Sequence, residues 1–464
     1  MDNDRVAPFD LSRKIADYVV EFKPSELSEV LIEKLKVSVI DTIAATLCGV
    51  SEEISTIIVS HVGQYYRGGQ AGIIGYRRKA NAIGAALANA TMAHACDFDD
   101  SSLSMYGHAS AAVLPAALAA GEMAKVSGLQ FLAALTTGIE TESQIGRLCG
   151  KRHFSLGWHS AATLGVVGAA AAAAKALELT HSTTVAAINL AASRACGMRE
   201  SVGTMNKALQ VGNASKSGVE AALLAAQGAN AASHAFEGRL GFLALYCGDA
   251  LTLDGALLNF ERDPELINPG LCQKIYPCSG DIHSALDAIL SLKREFDISA
   301  ENISRIVCRV NKTAAANPSF PYPKGVTEAK FSFHFCLAAA MAHGKLEPAE
   351  FRNVVLNDVL VRHLMQRIEV RVLDESDEKD VFCSPAEVDV LLTDGRSFRR
   401  RVEWMHGHPA NPMTVLDATR KLELCSSNLL SPTQLGRLIN MIGDIHSLPD
   451  IGLLTKVTAP FRAH

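Results

Sequence analysis

The sequence predicts a mainly α-helical protein in which a large all-helical domain, residues 1–267 and 409–464, carries a smaller α+β domain, residues 268–408. Three observations predict it. Ala- and Leu-rich segments with helical spacing fill the first half, patterns of period two appear only beyond Asn268-Pro269-Gly270, and helical spacing returns after His408, Pro409 and Pro412.

Taken in order, Leu27, Val30, Leu31, Leu35, Ile40, Ile43 and Leu47 recur at roughly helical intervals between Pro24 and Gly49, which gives a long amphipathic helix over 25–47. Further helices follow at about 81–96, 110–126, 129–147, 160–178, 182–195 and 212–231, separated by Gly-containing joints. Ala and Gly surfaces let helices approach closely, so these segments imply a tight bundle rather than a sheet. In the middle block, 303–310 and 368–372 alternate in period two, and 388–392 and 396–404 flank Asp394-Gly395, a strong hairpin turn. Helices near 281–294 and 330–343 complete an α+β unit, and 415–424 and 433–441 are helices that return to the first bundle. No internal repeat interrupts this order.

Composition narrows the function. A chain of 464 residues that is 48% hydrophobic and 20% charged is compact and globular, and too long for one ordinary core. Its net charge of -5, with no basic block, leaves no electrostatic footprint for nucleic acid or an anionic membrane, so local cations must meet any anionic substrate. The longest uncharged apolar run, about 161–174, is shorter than the roughly 20 residues that span a bilayer and reads as a buried helix. The acidic start MDNDRVAPFD lacks a basic-then-apolar export pattern, which points to the cytoplasm. Eleven cysteines, an odd number without a CxxC pair, argue against a disulfide framework, a structural zinc site and an iron–sulfur motif. The expectation is reduced thiols and no metal.

The densest polar cluster runs from His94 through Asp97, Asp99, Asp100 and Ser101, with His108 and Ser110 opening the next helix. Read blandly, Asp99, Asp100 and Ser101 are solvated loop residues and Ser110 is an N-cap. Read functionally, Asp97 and His108 meet in a cleft, because a carboxylate holds an imidazole in one tautomer for acid–base work. His159, in Gly157-Trp158-His159-Ser160, enters an Ala-rich helix at its N-terminus; it is a capping or packing residue, or a group placed to meet a substrate carboxylate. Lys207 ends the polar break Gly203-Thr204-Met205-Asn206-Lys207, where it is a surface residue or a carboxylate anchor. Lys274-Ile275-Tyr276-Pro277-Cys278, with His283 beyond, lies just after the domain boundary, a place that pockets favour.

Five stretches, His94 to Asp100, His108 to Glu122, Gly157 to Ala174, Thr204 to Ala222 and Tyr276 to Ala288, together resemble the MmgE/PrpD family in its order and approximate spacing, and the resemblance covers almost the whole chain. That family includes 2-methylcitrate dehydratase, cis-aconitate decarboxylase and iminodisuccinate epimerase. The resemblance implies an all-helical domain of the family's own type built from both chain ends, an α+β lid, and a homodimer. It implies cofactor-independent proton transfer at a carbon beside a carboxylate of a small polycarboxylic acid, by epimerisation, decarboxylation or dehydration. Asp97, Ser101, His108, His159, Lys207 and His283 fall on positions that line the family's cleft. His108 oriented by Asp97 becomes the proton carrier, with Lys207, His159 and His283 clamping carboxylates and Ser101 on the substrate.

The sequence departs from the family in three places. His108-Ala109-Ser110 stands for His-Pro-Ser and keeps the imidazole, whereas Lys207-Ala208-Leu209-Gln210 stands for Lys-Pro-Leu-His and loses a cation. Leu103-Ser104-Met105-Tyr106 replaces the Thr-Trp segment of the 2-methylcitrate dehydratases, which ranks dehydration below decarboxylation and epimerisation. Two other classes compete. A magnesium-dependent prenyl-diphosphate enzyme would use Asp97, Asp99 and Asp100, but their spacing is not the four-residue repeat of that motif, no second acidic site matches, and histidines are poor magnesium ligands. A non-enzymatic helical scaffold would need a repeat of about 30–45 residues, which the chain lacks.

Overall fold

The computed structural model describes residues 10–248, 258–260, 262–317, 319–373 and 385–460; the acidic stretch over 1–9 lies outside them. Helices dominate. Ala82–Ala95, Ser110–Ala124, Gly165–Ala176 and Asn206–Ala226 pack together as the centre of a bundle, with Gly128–Ser155 alongside. Their small side chains are almost all buried, from Ala85 to Ala93 and from Ala111 to Ala120, and with the leucines and valines between them they form one continuous core. Gly212 shows how close the approach is: a Cβ there would stand 2.0 Å from Thr91 Oγ1. A side chain at that position would push Asn206–Ala226 off Ala82–Ala95, and those two helices carry Lys207 and His94.

The expected helices are present with shifted ends. Glu29–Gly49 starts four residues after the predicted position, because Pro24–Glu26 forms a separate 3-10 turn and Ser28 accepts the cap hydrogen bond from Leu31 N. The segment over 160–178 is two helices, Ser160–Thr163 and Gly165–Ala176. The helix expected over 212–231 is Asn206–Ala226, so the break read before Lys207 ends sooner and Lys207 sits in the first helical turn. Helices that the sequence pattern does not give include Leu11–Glu21, Glu53–Tyr65, Phe242–Cys247 and Val359–Met365.

A second hydrophobic cluster gathers residues from Cys278 to Leu392. Its sheet has the order Ile368–Val372, Ile303–Val310, Ala386–Leu392 and Ser397–Val402, the first pair parallel and the others antiparallel. Asp394-Gly395 makes the predicted turn, with Gly395 at φ +89°. One sheet face buries Ile306, Cys308, Val388 and Val390 against helices Gly280–Glu295 and Phe333–His343. The other carries an exposed ladder in which Arg309 and Arg399 share Asp389, a kind of contact worth at most about 1 kcal/mol per pair.

The closing helix Val415–Ser426 packs on Glu29–Gly49. There Lys421 donates to Asp41 Oδ1 at 2.7 Å and to the carbonyls of Phe98 and Lys274. One ammonium thus ties the end of the chain to both strips of backbone that build the site below. No single helix among the described residues is long and apolar enough to cross a membrane.

Candidate active site

The helix Ala82–Ala95 carries His94 in its last turn, and the chain then turns through Asp97 in the left-handed region, φ +51°. Such a backbone costs about 1–3 kcal/mol in a residue other than glycine and persists where surroundings over-determine it. Here they do: the Asp97 carboxylate accepts from Lys207 Nζ at 2.6 Å on one oxygen and from Lys274 Nζ at 2.9 Å on the other, and Lys274 also donates to the Asp97 carbonyl. Ser101–Ser102 next pairs with Leu271–Cys272, which pins the loop to the strip carrying Lys274. Gly107 then lets the turn press on the His159 segment, since a Cβ there would be 2.8 Å from Ser160 Cβ. Helix Ser110–Ala124 starts with its Ser110 N–H donating to Asp100 Oδ1, a carboxylate at the positive end of the helix.

The reading of Asp99 and Asp100 as solvated is overturned, for both are wholly buried. Asp99 Oδ2 accepts from His94 Nδ1 at 2.8 Å and lies 3.1 Å from His108 Nδ1. Ser110 is not the cap; Asp100 caps it. His108 Nδ1 also donates to the Asp100 carbonyl at 2.9 Å. The expected Asp97–His108 pairing is therefore loose, at 3.7 Å through Nε2, and Asp99 with the Asp100 carbonyl sets the ring's orientation. His94, read only as the edge of the cluster, is central: its Nε2 accepts from Lys207 Nζ at 2.7 Å, and its ring centroid is 4.5 Å from that of His108 and 5.5 Å from that of His159. His159 donates from Nδ1 to Gln210 Oε1 at 2.7 Å.

Asp97, Ser101, His108, His159 and Lys207 line one cavity of about 80 Å³ together with Lys274. Phe154, Trp158 and Phe331 supply its apolar wall, and Arg199 its remaining cation. Arg199 lies 3.6 Å over the Phe154 ring and donates to Asn317 Oδ1 at 2.6 Å, while Asn317 donates to Asp281 Oδ2. His108, His159 and Lys207 keep 8%, 7% and 9% of their surface, enough to face a ligand and too little to be solvated. His283 is not among the lining residues. It is fully buried on Gly280–Glu295, edge-on to Tyr276 with ring centroids 5.2 Å apart. From that same stretch Lys274 reaches the site instead. Lys274 stands in a stretch that the sequence marks but without a role of its own, and Arg199 and Asn317 carry no sequence signal; the contact partners lie 177 and 118 positions away.

Burial dominates the electrostatics. It would raise the Asp97 carboxyl, but the Lys207 and Lys274 ammoniums overcome it and hold Asp97 well below the usual range. Asp99 is held low against burial by the His108 and His94 N–H groups. Burial pulls Lys207 down in spite of Asp97 and pulls His94 to about 4. Burial and the Lys274 charge take His283 to about 3.

His94, Asp97, Asp99 and His108 offer four ligand atoms within 4.8 Å of one another, which is metal-site chemistry. The fit fails on Lys207: its ammonium bonds two of the four, at 2.6 and 2.7 Å, and so takes the place a metal cation would need.

The fold and site define a class: a helical protein with a buried polar cleft built from three imidazoles and a carboxylate gripped by two lysines. Models of the MmgE/PrpD N-terminal and C-terminal domains match residues 13–253 and 276–445. The chain belongs to the MmgE/PrpD family. Curated relatives include a cis-aconitate decarboxylase of Homo sapiens, 26% identical over 460 residues, covering 96% of this chain and 94% of the relative. One of Mus musculus is 26% identical over 471 residues (96% and 93%), and one of Aspergillus terreus is 24% identical over 488 residues (99% and 98%).

Proposed function

We propose that this chain is a cofactor-independent lyase that removes one carboxylate of a cis-aconitate-like tricarboxylic acid as CO2 and returns a proton to carbon. The observation that carries the reading is the charge arrangement: Lys207 and Lys274 fixed on the two oxygens of one buried carboxylate, beside His108, lining one cavity. The full-length similarity to decarboxylases supports it.

The bond from carbon to the departing carboxylate breaks, and its electron pair moves into the neighbouring double bond, giving an enediolate-like anion on a retained carboxylate. CO2 leaves, an imidazolium proton goes to carbon, and solvent reprotonates the ring. Lys207, Lys274 and Arg199 hold the retained carboxylates, and because Asp97 and Asn317 already fix three of these cations' contacts, little reorganisation accompanies the charge shift. The wall of Phe154, Trp158 and Phe331 keeps water from screening those charges. His108 is the proton carrier of this scheme, with Nδ1 bound to Asp99 and the Asp100 carbonyl and Nε2 free to act.

The test is an NMR-followed panel of polycarboxylates in deuterated buffer, containing cis-aconitate, 2-methylcitrate and iminodisuccinate. The reading predicts consumption of the tricarboxylate with release of CO2 and one solvent deuterium on carbon. Exchange or inversion of iminodisuccinate alone, or loss of water from 2-methylcitrate alone, overturns it in favour of an epimerase or a dehydratase.

A further inference from the structure

The Gln210 amide sits at the back of His159. Its Nε2 lies 3.2 Å from the Met198 carbonyl and 2.7 Å from Ser201 Oγ. A carbonyl only accepts, so the amide NH2 must face Met198, which turns Oε1 toward His159. Oε1 also only accepts, so the hydrogen between the two residues belongs to His159 Nδ1, 2.7 Å away. A neutral imidazole holds one such hydrogen, which leaves Nε2 bare. That nitrogen is buried, has no hydrogen-bond partner, and belongs to a ring lining the cavity. Gly197 permits the arrangement, since a Cβ there would be 3.1 Å from Gln210 Oε1 and 3.4 Å from His159 Cβ.

We propose that Gln210 is a positioning residue that locks His159 in its Nδ1–H tautomer, so that the cavity is offered the Nε2 lone pair as an acceptor rather than a cationic clamp. The groups around His159 agree. The titratable groups that act most strongly on it are His94 on Ala82–Ala95, Lys207 on Asn206–Ala226 and His108 before Ser110–Ala124, while Asp97, Asp281, Lys274 and Arg199 line the same cavity. Burial, reinforced by His94, Lys207 and His108, pushes its pKa well below the ordinary value. His108 differs in having Asp99 and Asp97 at hand. Resting on the decarboxylase reading, the inference specifies the substrate further: the group that meets His159 must bring a hydrogen, as a protonated carboxyl or an acidic C–H, while Lys207, Lys274 and Arg199 take the anionic carboxylates.

The experiment is nitrogen-15 NMR of histidine-labelled enzyme near neutral pH, with the His159 signals assigned by their loss in His159→Gln, and with Gln210→Met and Gln210→Glu compared. Wild type should show Nδ1 protonated and Nε2 bare. Gln210→Met should let the proton move to Nε2 and lower kcat by about 10- to 100-fold with KM nearly unchanged. Gln210→Glu keeps an acceptor at Nδ1, so the tautomer and most of kcat should return, with the acid limb of kcat/KM moved to higher pH because a carboxylate stabilises the imidazolium. A protonated Nε2 in wild type, or equal losses in both variants with the tautomer unchanged, would overturn the proposal. The NMR arm needs no substrate, so it is decided separately from the decarboxylase reading, and the wild-type spectrum decides it even if Gln210→Met does not fold.

Discussion

Replacing Lys207 by Met tests the cationic half of the site. The side chain is 9% exposed and spends its ammonium on Asp97 Oδ1 at 2.6 Å and His94 Nε2 at 2.7 Å. Deleting one partner of a buried ion pair usually costs about 3–5 kcal/mol because a charge is left alone. Asp97 is not left alone, since Lys274 remains 2.9 Å from its other oxygen, so the loss of stability should lie near 3 kcal/mol, at the low end of that range. The substrate meets this cation before and during reaction, so KM should rise and kcat/KM should fall by about 2–4 kcal/mol, roughly 30- to 1000-fold. His94 should respond too: without the Lys207 charge that helps to depress it, its pKa should rise from about 4. Steady-state kinetics on the acid found by the panel, with thermal unfolding as the control, measure these effects. A folded Lys207→Met enzyme with wild-type KM would refute the anchoring role.

Three further outcomes are expected. His283 has a folded pKa of about 3 against about 6.5 when unfolded, so its contribution is complete above pH 6.5 and is lost as pH falls toward 3, at about 1.4 kcal/mol per pH unit. His283→Phe should therefore lose roughly 3 kcal/mol less than wild type between pH 6.5 and 4.5 in denaturant titrations, and an unchanged pH dependence would count against a buried neutral ring. Activity should survive exhaustive dialysis against EDTA, since Lys207 holds the cation position; loss with recovery on adding magnesium, zinc or iron would contradict that. Arg199→Lys should lose most of the activity that Arg199→Leu loses, because an ammonium cannot keep both the Asn317 contact and the stack on Phe154; full rescue by Lys would show that charge alone suffices.

The helical habit is legible because Ala-rich periodicity is a local property; strands form at Ile303–Val310 and Ile368–Val372 as their sequence pattern predicts, but burial alternates between the faces in Ala386–Leu392 and not in those two. The start of the Lys207 helix is less so, since a polar first turn after Gly203 looks like loop. Within the site, His108, Asp97, Ser101, His159 and Lys207 line one cavity. What the sequence hides is pairing across the fold. Asp99 and Asp100 look solvated because nothing local shows that His94, His108, Ser38 and Ser110 surround them. Lys274 looks like a loop cation until the pairing of Ser101–Ser102 with Leu271–Cys272 brings it to Asp97. His283 carries the more suggestive side chain of that stretch, yet helix Gly280–Glu295 turns it into the interior.

The central claim is that His108 delivers a proton to carbon as a carboxylate leaves. Its most direct test is His108→Asn, which keeps a hydrogen-bonding shape and removes the acid–base group. The reaction is followed in deuterated buffer with the tricarboxylate as substrate, measuring CO2 release and deuterium incorporation together. The account predicts that both fall in step by about 100-fold or more while the protein stays folded and substrate binding suffers less than in Lys207→Met. Wild-type rates of CO2 release and deuterium incorporation in His108→Asn would contradict it.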